Sequence, residues 1–402
     1  MTSSLRRLPR NVWVVTATSF LTDVSSEMIT NLIPLFLANV LKAGTAVVGL
    51  IEGIAETTAS LMKIYAGALS DKLGRRKWLT VTGYALSAAA KPFLYFAQTW
   101  HWVLGVRFAD RLGKGIRTAP RDALIAASVE ETQNQRGLAF GLHRAGDTAG
   151  AFFGLLTAAA IIWLTQGGAL MLEQRTFQII VLASIIPAFL AVLVLALGAR
   201  EVAVAGNKKQ APLLSLKGVD KRYKIFLLVI VLFTLGNSSD AFIILRGQER
   251  GLTLLQVMGM LLTFNFVYAA LSGPLGALSD HVGRRRLILG GWLTYGLVYL
   301  GFALAQRGWQ VWVLFGLYGI YYAATEGVAK ALIADLVPPE QQGTAYGLYN
   351  AAVGLTAFPA SLIAGLLWQG ALGWSGFGAS APFYFGATLA LLAGLLFWSL
   401  VR

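Results

Sequence analysis

Cysteine is absent from this 402-residue chain, and histidine occurs only at His101, His143 and His281. Disulfide frameworks, thiolate metal sites and cysteine nucleophiles are therefore excluded together. No two histidines have the helical spacing of a metal site, so no metal centre is expected. Charge is scarce as well. Charged residues make up 13 % of the chain, against about 25 % in a soluble globular protein whose surface must face water. No HExxH, nucleotide-binding glycine loop or P-loop occurs, so an enzyme, a cofactor and ATP-driven pumping by this chain alone are not expected.

What remains is apolar. Hydrophobic residues supply 56 % of the chain, and they gather in stretches of the roughly 20 residues that cross a bilayer as a helix. The stretches fall at 12–41, 45–70, 78–98, 101–127, 138–164 and 176–199, and again at 225–245, 253–275, 287–306, 309–336, 343–369 and 381–401. The expected fold is an all-α membrane protein of twelve transmembrane helices, with both termini on one side. The first run follows Arg6, Arg7 and Arg10 but is too long for a signal peptide core and contains Asp23 and Glu27, so no cleavable signal is expected.

The formal net charge of +14 is mainly a topology signal. Nineteen lysines and arginines lie on the side of the termini and five on the other, with nine inside the spans. The positive-inside rule then puts both termini in the cytoplasm of a plasma membrane, read as a bacterial inner membrane, and leaves no case for nucleic acid.

The chain repeats itself. Gly67-Ala-Leu-Ser-Asp71-Lys-Leu-Gly74-Arg75-Arg76-Lys77 and Gly276-Ala-Leu-Ser-Asp280-His-Val-Gly283-Arg284-Arg285-Arg286 agree at eight of eleven positions. Ala123-Leu-Ile-Ala126 matches Ala331-Leu-Ile-Ala334, and Ser25-Ser26-Glu27 lies opposite Ser238-Ser239-Asp240. The organisation expected is a six-helix half over 1–199, a cytoplasmic basic linker over 200–224 and a second six-helix half over 225–402. Two parallel six-helix repeats around a central cavity are the build of a rocking transporter.

These loop motifs resemble the signature loop of the major facilitator superfamily, and the resemblance extends over essentially the whole chain. Arg111-Leu-Gly-Lys-Gly115 also matches that family's fourth-span element, whereas Ala151 stands where its antiporters keep proline. The resemblance implies a secondary transporter working by alternating access, in which Gly67, Asp71, Gly74, Arg75, Arg76, Asp280, Gly283, Arg284 and Arg285 form cytoplasmic gates. It further implies that the first, fourth, seventh and tenth helices line the cavity, and that the chain is a monomer.

The fourth span carries Arg107, Asp110, Arg111, Lys114, Arg117, Arg121 and Asp122. At 100° per residue they occupy an arc of roughly 140°, a stripe that cannot face lipid. Two readings stand. The stripe is an internally neutralised network with acids such as Glu52 and Glu56, or Arg111, Lys114, Arg117 and Arg107 meet an anionic substrate. In repeat register the tenth span opposes that stripe with Tyr318, Tyr321, Tyr322 and Thr325, an aromatic and hydroxylated wall. Together they suit an amphipathic organic anion; the alternative is a multidrug/proton antiporter of lipophilic compounds.

Coupling needs a group whose charge changes during the cycle. A carboxylate in a partly dry cavity holds its proton toward neutral pH. Glu27, Asp23, Asp240, Glu326 and Asp110 are the candidates, with Asp23 also able to hold a cation beside Ser25 and Ser26. The resemblance favours a proton over Na⁺.

Overall fold

The structure, a computed structural model, describes residues 8–129, 136–202, 220–337, 342–371 and 373–400. The linker segment 203–219, with Lys208, Lys209 and Lys217, lies outside the described residues, as do Arg6, Arg7, Arg402 and the side chains of Asp71 and Arg136. The described chain is almost entirely helical. Its long elements are α1 (Arg10–Thr30), α2 (Thr45–Leu73), α3 (Lys77–Ala90), α4 (Trp100–Ser128), α5 (Arg136–Gln166), α6 (Gln174–Gly198), α7 (Lys221–Gly236), α8 (Ala241–Glu249), α9 (Leu254–Val282), α10 (Arg284–Leu304), α11 (Gly308–Leu336), α12 (Gln342–Gln369) and α13 (Ala381–Leu400). Two compact units result. The first comprises 1–36, 58–166 and 173–210, and the second 37–57, 167–172 and 211–402.

Eight spans among the described residues are long and apolar enough to cross a bilayer, α7 and α8 counting together. That is fewer than the twelve read from the sequence, and α1, α3, α4 and α11 fall short for identifiable reasons. The α-helical part of α3 ends at Ala90, and Lys91–Phe96 tightens into a 3-10 turn around Pro92. α1 holds Asp23 and Glu27 among threonines and serines, α4 holds seven charges, and α11 mixes tyrosines with Glu326, Lys330 and Asp335. α6 shows the opposite composition. It exposes Leu182, Ile186, Phe189, Leu193 and Leu197 on one side and buries Phe177, Ile180, Ala188 and Leu195 on the other. An exposed leucine face of that size requires lipid, because water would leave it unsolvated.

The same neighbour pattern recurs in the two units. In the first, α1 packs on α5 and α6 while α3 packs on α4; in the second, α7 packs on α12 and α13 while α10 packs on α11. Small residues set the closest approaches. A Cβ added at Gly150 would stand 2.4 Å from the Phe20 carbonyl oxygen, so only glycine lets α5 lie this close to α1.

The repeat is not carried through every element. Ser25–Glu27 stay helical in α1, but the matching Ser238–Asp240 fall in a break between α7 and α8, where the sequence suggested one unbroken span. Gly236-Asn237-Ser238-Ser239-Asp240 concentrates the residue types whose side chains compete with helical hydrogen bonds. The Ser239 hydroxyl accepts from the Ala241 amide at 3.3 Å, and the Ser361 hydroxyl of α12 accepts from the Ser239 amide at 3.3 Å. Beyond the break, Arg246 is fully buried and donates to the carbonyls of Phe302, Ala303 and Ala305 at 3.0–3.3 Å, closing the C-terminal end of α10.

Candidate functional site

In the first unit the site is built on α4. Its N-terminus is capped by Thr99, whose hydroxyl accepts from the Trp102 amide. Lower down, two glycines bring α4 into backbone contact with two neighbours. A Cβ at Gly113 would lie 2.6 Å from the Gly83 carbonyl oxygen of α3, and one at Gly115 would lie 2.4 Å from Met62 Cβ of α2. Held on both flanks, α4 has no freedom to rotate its charged stripe toward lipid.

Three stripe residues are buried, Arg107, Arg111 and Arg117, whereas Lys114 is exposed. Part of the stripe neutralises itself. Arg111 Nε lies 3.8 Å from Asp110 Oδ2, and Arg121 pairs with Asp122 at 2.8 Å. Arg117 turns to α3, donating to Ser87 Oγ at 2.7 Å and lying 4.5 Å from the Tyr84 ring centre. Those contacts give Arg117 a packing role in addition to the substrate role expected of it.

Arg107 and Asp110 instead face a small pocket shared with Ser26, Thr30, Lys91 and Leu94 and closed by Ile29, Ile33 and Val106. Lys91 is 4 % exposed and donates to Ser25 Oγ at 2.6 Å and Ser26 Oγ at 3.1 Å. Two buried bases therefore share the pocket with one carboxylate. Burying charge is costly, and part of that cost is offset by the serine hydroxyls that accept from Lys91 and by the Asp110 carboxylate among the bases. Lys91 was not among the substrate residues drawn from the sequence. Its signal was a Lys-Pro pair inside an apolar stretch, since an ionisable residue at membrane depth is expensive to keep without use.

The carboxylates expected to couple lie beside this cluster. Asn31 Nδ2 donates to Glu27 Oε2 at 2.8 Å. Asp23 stands within the electrostatic reach of Glu27, Arg117, Lys114 and Arg121. Because Ser25 and Ser26 both accept from the Lys91 ammonium, they are occupied by a protein cation where the sequence suggested an inorganic one. Asp147, an intramembrane acid not among the coupling candidates read from the sequence, lies 3.6 Å from His143 on α5 and within the fields of Asp23 and Arg121.

The second unit has a different chemistry. Tyr318 donates to Asp240 Oδ1 at 3.2 Å and contacts Asn237 Oδ1 at 3.4 Å, while Asn237 Nδ2 donates to the Tyr321 hydroxyl at 3.1 Å. Tyr322 stands edge-on to Tyr318 and Tyr321, with ring centres 5.2 and 5.1 Å away. Thr325 is set apart from this group: its hydroxyl donates back to the Tyr321 carbonyl, and its methyl sits against Gly291 of α10. Glu326 accepts from the Tyr268 hydroxyl of α9. Glu52 and Glu56 of α2 belong to this unit, and their charges bear on Asp240.

The loop residues expected to gate lie at helix junctions. Gly74 and Gly283 have φ of +60° and +96°, conformations that favour glycine. Gly67 lies against Ala119 of α4. The amide of Arg76 donates to Glu201 at 2.7 Å, and Arg75 is exposed. Arg284 pairs with Asp335 at 2.5 Å and lies 3.7 Å from Asp280, while Arg285 donates to the Trp398 carbonyl.

Comparison with known proteins agrees with this build. The profile of the Major Facilitator Superfamily matches residues 15–262 and 225–402. An uncharacterised MFS-type transporter of Methanocaldococcus jannaschii is 37 % identical over 397 residues, covering 97 % of this chain and 95 % of its own. The multi-drug resistance efflux pump PmrA of Streptococcus pneumoniae is 24 % identical over 331 residues, covering 80 % of this chain and 79 % of that protein. A crystal structure of a mutant of the nucleoside transporter NupG superposes with a TM-score of 0.81 at 13 % identity, over 98 % of this chain and all of that one. The chain is thus a multi-pass membrane transporter for small molecules and belongs to the major facilitator superfamily.

Proposed function

We propose that the protein is a proton-coupled secondary transporter of an amphipathic organic anion, working by alternating access and without covalent chemistry on its substrate. The observation that carries this reading is the pair of buried bases, Lys91 and Arg107, lining one small pocket with Asp110, Ser26 and Thr30. A carboxylate or phosphate entering there would exchange water for charge-assisted hydrogen bonds. Arg111 and Lys114 would extend the attraction along α4, with Arg117 behind them. Tyr318, Tyr321, Tyr322 and Thr325 of the second unit are the further residues proposed to meet substrate.

Glu27, with Asp23 beside it, is the proposed proton carrier, and Asp110, Asp240 and Glu326 are the further carboxylates through which binding and protonation would be linked. Na⁺ is the less suitable ion, since Lys91 takes up the serine hydroxyls that would ligate it. The glycine and arginine loops after α2 and α9 would act as cytoplasmic gates, the 200–224 segment would join the two halves, and the molecule would work as a monomer in a bacterial inner membrane with its termini in the cytoplasm.

Thermal unfolding of the detergent-purified protein against matched amphipathic anions and lipophilic cations tests this directly. A ligand that binds only the native state raises the midpoint by mass action. Stabilisation by anions that changes between about pH 5.5 and 7.5 is expected. Stabilisation by lipophilic cations alone would replace this reading with a multidrug/proton antiporter, the reading that the similarity to PmrA favours.

A further inference from the structure

We propose that His143 and Asp147 of α5 form a proton-binding pair, with one proton shared between His143 Nδ1 and Asp147 Oδ1 and exchanged with Asp23 of α1. The inference deepens the coupling reading above and rests on it for its role in transport.

The first observation is a buried histidine without hydrogen bonds. His143 is 4 % exposed, yet neither ring nitrogen has a hydrogen-bond partner among the described residues. A buried imidazole kept only for packing ordinarily satisfies its nitrogens, because an unpaired polar atom away from water is costly. Asp147 stands one turn further along. Its Oδ1 lies 3.6 Å from His143 Nδ1 and is itself buried and unpartnered among the described residues. A proton placed between these two atoms satisfies both, as a charge-assisted hydrogen bond. Bonds of this kind are often long until the working complex tightens them.

The second observation is placement. At 100° per residue His143, Asp147, Gly150 and Gly154 fall within an arc of roughly 60°, and that stripe is pressed against α1. A Cβ added at Gly150 would stand 3.0 Å from Asp23 Cβ, and one at Gly154 would stand 3.1 Å from Glu27 Cβ. Asp23 and Glu27 therefore meet α5 one and two turns beyond Asp147.

The third observation is the set of charges around the pair. Those that bear most on it are Asp23 of α1, Arg121 and Asp122 of α4, and Arg144 of α5 itself. Arg121 and Asp122 pair with each other at 2.8 Å, so Asp23 is the facing acid suited to exchange a proton. In that step the O–H bond of Asp23 breaks, and an N–H or O–H bond forms in the pair. Asp23 gains the negative charge that the pair loses, and no co-reactant is needed. Strongly interacting sites titrate together, so the proton belongs to the pair whichever atom carries it.

The test is nuclear magnetic resonance of the full-length protein in detergent, carrying isotope-labelled histidine. The chain has three histidines, so His143→Gln assigns the signal. The His143 ring signals should move between about pH 5 and 8, and Asp147→Asn should abolish that movement. Asp23→Asn should displace its midpoint by about half a pH unit or more, which a ring held only for packing would not show. His101 and His281 are exposed and should titrate alike in every variant. Invariant His143 signals in the wild-type protein would overturn the proposal, as would movement that persists unchanged in folded Asp147→Asn. If Asp147→Asn does not fold, an unmoved midpoint in Asp23→Asn overturns it. Proteoliposome uptake of benzenesulfonate, an anion that stays charged at these pH values, separates this outcome from the coupling reading. A titrating pair in a protein whose uptake ignores the pH gradient would remove the coupling reading and leave the proton site. Gradient-driven uptake with an invariant His143 would do the reverse.

Discussion

Arg76 and Arg284 make the same contact in the two units. Each donates through Nη1 to a main-chain carbonyl 47 residues further along the chain, Ala123 at 2.8 Å and Ala331 at 2.5 Å. Aligning the two loop motifs pairs Arg284 with Arg75 instead. The shift arises from turn length. After α2 three residues, Gly74, Arg75 and Arg76, precede the next helix, whereas after α9 Gly283 alone separates the helices.

That equivalence is testable by stability. Arg76→Ala and Arg284→Ala should each cost about 1–3 kcal/mol, because both leave a carbonyl near a helix C-terminus without its charged donor. Arg75→Ala, at an exposed position, should stay within about 0.5 kcal/mol. Melting temperatures of the three purified variants decide whether structural or motif register governs; an Arg75 effect equal to that of Arg284 would favour the motif.

Lys91 and Arg117 should separate binding from packing. Lys91→Gln removes the pocket's ammonium, and the stabilisation by amphipathic anions should fall by tenfold or more in apparent affinity, equivalent to about 1.4 kcal/mol. Arg111→Ala should abolish transport with expression and folding near normal. Arg117→Ala loses the Ser87 bond and the Tyr84 face, so it should lower the melting temperature of the ligand-free protein. Thermal shift with and without benzoate distinguishes the two behaviours. Equal loss of ligand-free stability in all three variants would make the base cluster structural.

Glu27→Gln keeps an oxygen that can accept from Asn31, so the local hydrogen bond survives while the titrating group is lost. Uptake into proteoliposomes should then become insensitive to an imposed pH gradient. A variant that still follows the gradient would move the coupling role to Asp23 or to another of the buried acids.

Two glycines of α5 should respond in opposite ways. A methyl at Gly150 meets the Phe20 carbonyl at 2.4 Å, so Gly150→Ala should cost about 1–3 kcal/mol through overpacking. Gly141 has nothing within 4 Å of an added Cβ, and Gly141→Ala should be neutral or stabilising by up to about 1 kcal/mol. Unfolding midpoints of the paired variants measure this, and equal losses would mean that α5 does not pack on α1 as described.

The membrane class, the duplication and the family were legible in the amino-acid order alone. Apolar stretches long enough to span a bilayer and two near-identical loops are local patterns that need no contact to be recognised. The same holds for the charged stripe of α4, because helical periodicity by itself gathers Arg107, Arg111 and Arg117 on one face.

Partner choice was decided only by tertiary structure. Nothing in the spacing of Arg117 foretold that it would turn to Ser87 and Tyr84, while Arg107 turned to a pocket with Lys91 from a different helix. The break at Asn237–Asp240 also escaped a hydropathy reading, since it is held by hydrogen bonds to α11 and α12 that are close only in the fold. A buried charge has a high cost wherever it lies along the chain, but the group that offsets that cost is found in three dimensions.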